Sequence, residues 1–151
     1  MDSSKSFLYG QSLIILEQLL ATYKQAIANA RIAQQNETKS SAGDKYETNR
    51  EMMTQEIENA TRQLLVAESE MRLLQNAFLN NIANGLVHHG SIVKTQTDHF
   101  YIAASVGRLV LKAETYHVVS PLSPIGKLLI GKAVGDIVTL HTKNYSISHI
   151  L

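Results

Sequence analysis

Thr38-Lys39-Ser40-Ser41-Ala42-Gly43-Asp44-Lys45-Tyr46-Glu47 is the stretch whose reading decides the fold. Its Ser/Gly cluster interrupts two apolar seams with coiled-coil spacing. Before it, Leu13, Leu16, Leu20, Tyr23, Ile27 and Ala30 recur at alternating steps of three and four; after it, Met53, Ile57, Ala60, Leu64, Ala67, Met71, Leu74 and Phe78 do the same. Two stripes of similar length around one short break cover each other most economically as an antiparallel helical hairpin. At a rise of ~1.5 Å per residue the arm would reach roughly 40 Å and carry its tip far from the rest of the chain.

Working outward, Ser3 or Ser4 suits the N-cap of a first helix running from about Lys5 to Gln35, with turn-forming residues from Asn36 to Gly43. Lys24 and Arg31 lie seven apart on one side of it, which reads as a solvated face. The second helix runs to about Ile82, and Gly85 suits a left-handed position at its C-terminal end. Beyond Gly85 the period changes to that of strands. Short β-branched and aromatic runs cover Ser91–Thr95, His99–Ala104, Arg108–Leu111, Thr115–Val119, Ile137–His141 and Tyr145–Ile150, with turn signals at Thr97-Asp98, Val106-Gly107, Gly135-Asp136 and Lys143-Asn144. Ser123-Pro124 opens and Gly131 closes one short helix in this series. The expected fold is therefore α+β in two domains: a coiled-coil finger over 1–84 with its acidic tip near 38–47, and a mostly antiparallel sheet with one helix over 85–151.

Composition excludes several functions. The chain of 151 residues has no cysteine, which removes disulfides, thiolate zinc sites and thiol nucleophiles. Its formal charge is +1, with 8 Lys+Arg against 10 Asp+Glu over 1–84 and 6 against 3 over 85–151. Neither part concentrates basic residues as a duplex-DNA binder does. The longest strongly apolar run, Leu13–Leu16, is too short to span a bilayer, and Met1-Asp2-Ser3-Ser4-Lys5 lacks a secretory pattern, so a cytoplasmic location is expected. The histidines His88, His89, His99, His117, His141 and His149 show no helical i,i+4 pair, and adjacent His88 and His89 would face opposite ways on a strand.

The tip carries two acids, Asp44 and Glu47, and their residues leave two readings open. Ser41–Asp44 and Asp44–Glu47 both have capping-box spacing, and acids are favoured at the positive end of a helix. Two carboxylates three apart on a leading turn also share a face, where they can give oxygens to a Mg²⁺ whose shell is completed by other groups.

The paired helices, the tip Gly43-Asp44-x-x-Glu47, and the run Ser120-Pro121-x-Ser123-Pro124-Ile125-Gly126-x-x-Leu129-Ile130-Gly131-Lys132-x-x-Gly135-Asp136 together resemble the Gre family of bacterial transcript cleavage factors across nearly the whole chain. The resemblance implies an FKBP-like C-terminal domain, with Ser120, Pro121, Ser123, Pro124, Ile125, Gly126, Gly131, Lys132, Gly135 and Asp136 in its partner-binding region. It implies that this domain docks on RNA polymerase and that the finger enters the secondary channel. There Asp44 and Glu47 would help hold a Mg²⁺ shared with the polymerase, near the RNA 3′ end, while backtracked RNA is cut by water. The protein would then be an accessory factor and a monomer, without its own enzymatic centre or tightly bound cofactor. The chain departs from the family after the second acid, where it reads Thr48-Asn49-Arg50-Glu51. Two other expectations stand beside this one: a channel binder that regulates polymerase without cleavage, and a binding module or prolyl isomerase outside transcription, with Tyr101 and Tyr116 lining an FKBP-like cleft.

Overall fold

The computed structural model describes residues 3–40 and 44–151, apart from the side chains of residues 37–40 and 44–45. Two helices, α1 (Ser3–Ser40) and α2 (Asp44–Leu79), pack as a hairpin. All the seam positions quoted above are buried or half-buried, while most residues between them are exposed. Ala30, Ala60 and Ala67 are buried members of the seam. Gln34 Nε2 donates to Thr54 Oγ1 across the pair at 3.2 Å.

Both helix ends differ from the sequence expectation. Residues 36–40 remain helical, and 41–43 lie outside the described residues together with the proposed Ser41 cap. Asn, Glu, Thr and Lys each cost only a few tenths of a kcal/mol to about 0.7 kcal/mol in a helix, which one added backbone hydrogen bond per residue offsets. At the other end α2 stops at Leu79, and Asn80 N donates to Ala77 O at 3.3 Å. Gly85 does take a left-handed φ of 79°, but six residues past the helix, in the connection to the sheet.

The strands are β1 (Ile92–Thr95), β2 (His99–Ile102), β3 (Gly107–Leu111), β4 (Glu114–Val119), β5 (Ile137–Leu140) and β6 (Lys143–Ile150), with α3 (Pro124–Leu129) between β4 and β5. Their order in the sheet is β3-β4-β2-β1-β6-β5. Only β2 and β4 pair in parallel, with Phe100 opposite His117; the other pairs are antiparallel. The β5–β6 turn falls at His141-Thr142 and places Lys143 and Asn144 in β6, where composition had suggested the turn itself. His141 takes a φ of 56° there. Lys112 and Ala113, both at positive φ, make the two-residue β3–β4 turn, a geometry matching the strand twist.

Alternation along the strands gives the sheet two buried faces. Ile92, Tyr101, Tyr116 and Val118 cluster with Leu8, Leu16, Leu74 and Ala77 from the helices. Val93, Phe100, Ile102 and Ile147 cluster with Ile125 and Leu129 of α3. The first turns of α1, up to Leu16, and the chain from Glu70 onward thus form one compact unit, and Glu17–Ser69 forms the other. Leu74 is fully buried. Leu74→Ala should cost about 2–5 kcal/mol, read as a lower urea midpoint with an unchanged m-value.

Candidate functional site

Helix α2 opens at Asp44, which puts positions 44 and 47 on its leading turn, three residues apart on one face. The Glu47 side chain is exposed, and those of Glu51 and Arg50 are exposed behind it. The Asp44 side chain lies outside the described residues, as does Gly43. Among the described residues no three His, Asp or Glu side chains come together to hold a metal ion. An exposed carboxylate on a leading turn is an oxygen donor of the kind Mg²⁺ takes, but two carboxylates fall well short of an octahedral shell, so the remaining ligands must come from elsewhere.

The Ser120–Asp136 run folds around α3. Ser123 is its N-cap: the Ser123 Oγ accepts from Gly126 N at 3.1 Å and donates to Ser120 O at 2.6 Å, with Pro124 at the first helical position. A Cβ added at Gly126 would run into the Ser120 carbonyl oxygen, so this close approach requires glycine. Ser120 is buried and its Oγ accepts from Leu122 N at 3.0 Å. Ile125 belongs to the core. Past the helix, Gly131, at a φ of 86°, donates to Val87 O at 2.8 Å, and the Asp136 carboxylate accepts from Ala133 N at 2.8 Å. Gly135, at a φ of 93°, donates to Ile147 O at 2.8 Å. Pro121 is half-buried, and Pro124 and Lys132 are exposed. Leu122 and Val134, which the sequence did not single out, project from the same loops and are 68% and 58% exposed.

A cavity of about 370 Å³ lies between the sheet and α3, floored by Phe100, Val119, Ile125, Leu140 and Tyr145 and edged by Asp98, His117 and Lys143. Phe100 meets Tyr145 edge-on with ring centroids 5.4 Å apart and lies 5.6 Å from the His117 ring. Tyr101 and Tyr116, which only the isomerase alternative would place in such a cleft, are 0% and 2% exposed and lie in the core on the opposite face, as strand aromatics usually do. The two side chains of consecutive strand residues point to opposite faces, so the cleft takes Phe100 and His117 instead. The adjacent aromatics of β2 and Tyr145 were the available signal, once the register was known.

Ion pairs close the rim. Lys143 Nζ reaches Asp98 Oδ2 at 2.6 Å and His117 Nε2 lies 3.5 Å from Asp98 Oδ1. The hydrogen bond from Lys143 holds the Asp98 carboxyl below its usual range, against partial burial and with help from His117, and in turn raises the Lys143 ammonium. On the other face Glu114 Oε2 accepts from the Tyr116 hydroxyl at 2.9 Å and from Lys94 Nζ at 3.3 Å, and these bonds lower its carboxyl. The histidines do not form a metal set. His88 and His89 lie in the turn before β1, not on a strand; His88 Nδ1 pairs with the His89 carbonyl and His89 Nε2 with the Ala103 carbonyl, at 2.9 and 3.0 Å.

Comparison of the chain with protein-family models, with curated proteins and with solved structures finds no match. Among the described residues no helix is long and apolar enough to cross a membrane.

A carboxyl lowered in the folded state stabilises above its unfolded pKa, and this contribution disappears as pH falls through the folded value. Asp98 should therefore withdraw stability as pH drops below about 4. Urea midpoints measured across that range should fall less steeply in Lys143→Met than in the parent chain.

Proposed function

We propose that this protein is a Gre-like accessory factor of bacterial RNA polymerase. Its helical hairpin enters the secondary channel, its sheet domain grips the channel rim, and its leading-turn acids promote Mg²⁺-dependent cleavage of backtracked RNA. The observation that carries the reading is the start of α2 at Asp44, directly after the break in the paired seams, with Glu47 exposed on the first turn. Support also comes from the α+β architecture and from the Ser123-Pro124-Ile125-Gly126 cap, whose tight loop leaves Leu122 exposed for a partner, with Lys132 exposed past the other end of α3.

Asp44 and Glu47 supply carboxylate oxygens; the polymerase supplies the other ligands and the nucleic acid. The shared metal, when bound, provides Lewis-acid activation of water. The chain contributes position and negative charge close to the RNA 3′ end, and it acts as a monomer in the cytoplasm with no reaction of its own. Arg50 favours a second reading. It lies exposed three residues beyond Glu47, and a cation beside the acid pair weakens its hold on a divalent ion. On that reading the protein occupies the channel and regulates the polymerase without stimulating cleavage.

A cleavage assay on stalled, backtracked complexes separates the two. The cleavage reading expects Mg²⁺-dependent RNA shortening that falls at least about tenfold in Asp44→Asn plus Glu47→Gln while polymerase binding is retained. Binding and altered pausing that survive the double change, with no RNA shortening in either form, establish the second reading. Absence of polymerase binding overturns both.

A further inference from the structure

We propose that Asn84 is a self-modifying site, at which the chain converts its own asparagine through a cyclic imide into an aspartate or isoaspartate residue. Asn84-Gly85 is the one Asn-Gly step in the sequence, and asparagine is among the chemically labile residues. Both residues are exposed and lie in the connection between α2 and β1. Asn84 Oδ1 accepts from Leu86 N at 3.1 Å, which folds the carboxamide back along the chain toward the intervening Gly85 amide and draws electron density from Cγ. Nothing lies within 4 Å of the place a Gly85 Cβ would occupy, so the amide nitrogen has no side-chain screen. The other asparagines are worse placed. Asn29, Asn36, Asn49, Asn59 and Asn76 sit within α-helices, Asn144 is in β6 ahead of Tyr145, and Asn81 precedes the β-branched Ile82. Asn80 Nδ2 is engaged with His89 O at 2.7 Å.

In the first step the deprotonated Gly85 nitrogen attacks Asn84 Cγ. The N–Cγ bond forms, the Cγ–Nδ2 bond breaks, and Nδ2 leaves as ammonia with the proton. Water then opens the ring at either carbonyl. Attack at Cγ restores the ordinary backbone with a side-chain carboxylate; attack at the main-chain carbonyl routes the backbone through Cγ and adds one methylene to it. Either product lowers the formal charge from +1 to 0. The longer backbone arises two residues before Leu86, which bridges Ala133, and three before Val87, which pairs with Gly131 and Lys132 at 2.8 Å each. The modification therefore loosens the strand-like contact that holds the loop after α3.

The test is incubation of the full chain at neutral and mildly alkaline pH, followed by native isoelectric focusing, peptide mapping by mass spectrometry and labelling with an isoaspartyl methyltransferase. The expected result is one more acidic species, with the amide-to-acid mass change and methyl label confined to Asn84, forming faster at higher pH. Asn84→Gln should lose all three signals, and Asn84→Asp should reproduce the focusing shift without the initial methyl label. Conversion of Asn80, Asn81 or Asn144 at the pace of Asn84 overturns the proposal. So does an unconverted Asn84 under conditions that convert a free peptide spanning residues 80–88.

Discussion

The two-sided burial of β2 and β4 is the constraint on which the larger compact unit depends. In these strands alternate residues must satisfy different partners: Tyr101, Tyr116 and Val118 meet the first turns of α1 and the last turns of α2, while Phe100 and Ile102 meet the layer of α3. A slip of one residue would exchange the two sets. The parallel pairing of β2 with β4 fixes that register, and it also brings Asp98, at the entry to β2, beside His117 in β4. Core packing and the rim of the cleft are thus set by one alignment.

The helices meet the sheet through polar as well as apolar groups. Glu70 Oε2 on α2 accepts from Ser105 N at 2.6 Å, satisfying a backbone donor in the β2–β3 loop. A Cβ at Gly90 would run into the Ala77 carbonyl oxygen, so the turn before β1 can seat against the end of α2 only with glycine there. His89 and Asn80 complete this seam by bonding Ala103 O and His89 O. Burial of Tyr101, whose hydroxyl has no hydrogen-bond partner among the described residues, pushes that phenol up to about 12. The same apolar surroundings that raise the phenol keep this layer closed.

The loops around α3 show how a motif with a functional look can also be fully employed in folding. Ser120, Ser123, Gly126 and Asp136 each satisfy a backbone group or permit a close approach inside the domain. What they leave to a partner is the shape of the loop and the neighbours it pushes outward, Leu122 and Val134. In the proposed polymerase factor these residues would shape the docking surface, and the exposed side chains between them would touch the partner. Loss of Ser123 and loss of Leu122 would then have different physical origins.

The sequence by itself determined the helical hairpin, because a three-four seam such as Leu16, Leu20, Tyr23, Ile27 and Ala30 has one economical use, and each position is indeed withdrawn from solvent. It also determined the short helix, since Ser123 and Pro124 carry their own start signal, and most strands, since β-branched runs between turn residues read locally. Tertiary structure alone decided which face each strand residue uses. Tyr101 and Phe100 are neighbours of similar character, and only the register of β2 against β1 and β4 sends the first into the helix-covered core and the second into the cleft. The pairs Asp98–Lys143 and Glu114–Lys94 were likewise invisible in the chain, being 45 and 20 residues apart. Local preference is written in adjacent residues; the partners across a sheet are chosen by topology.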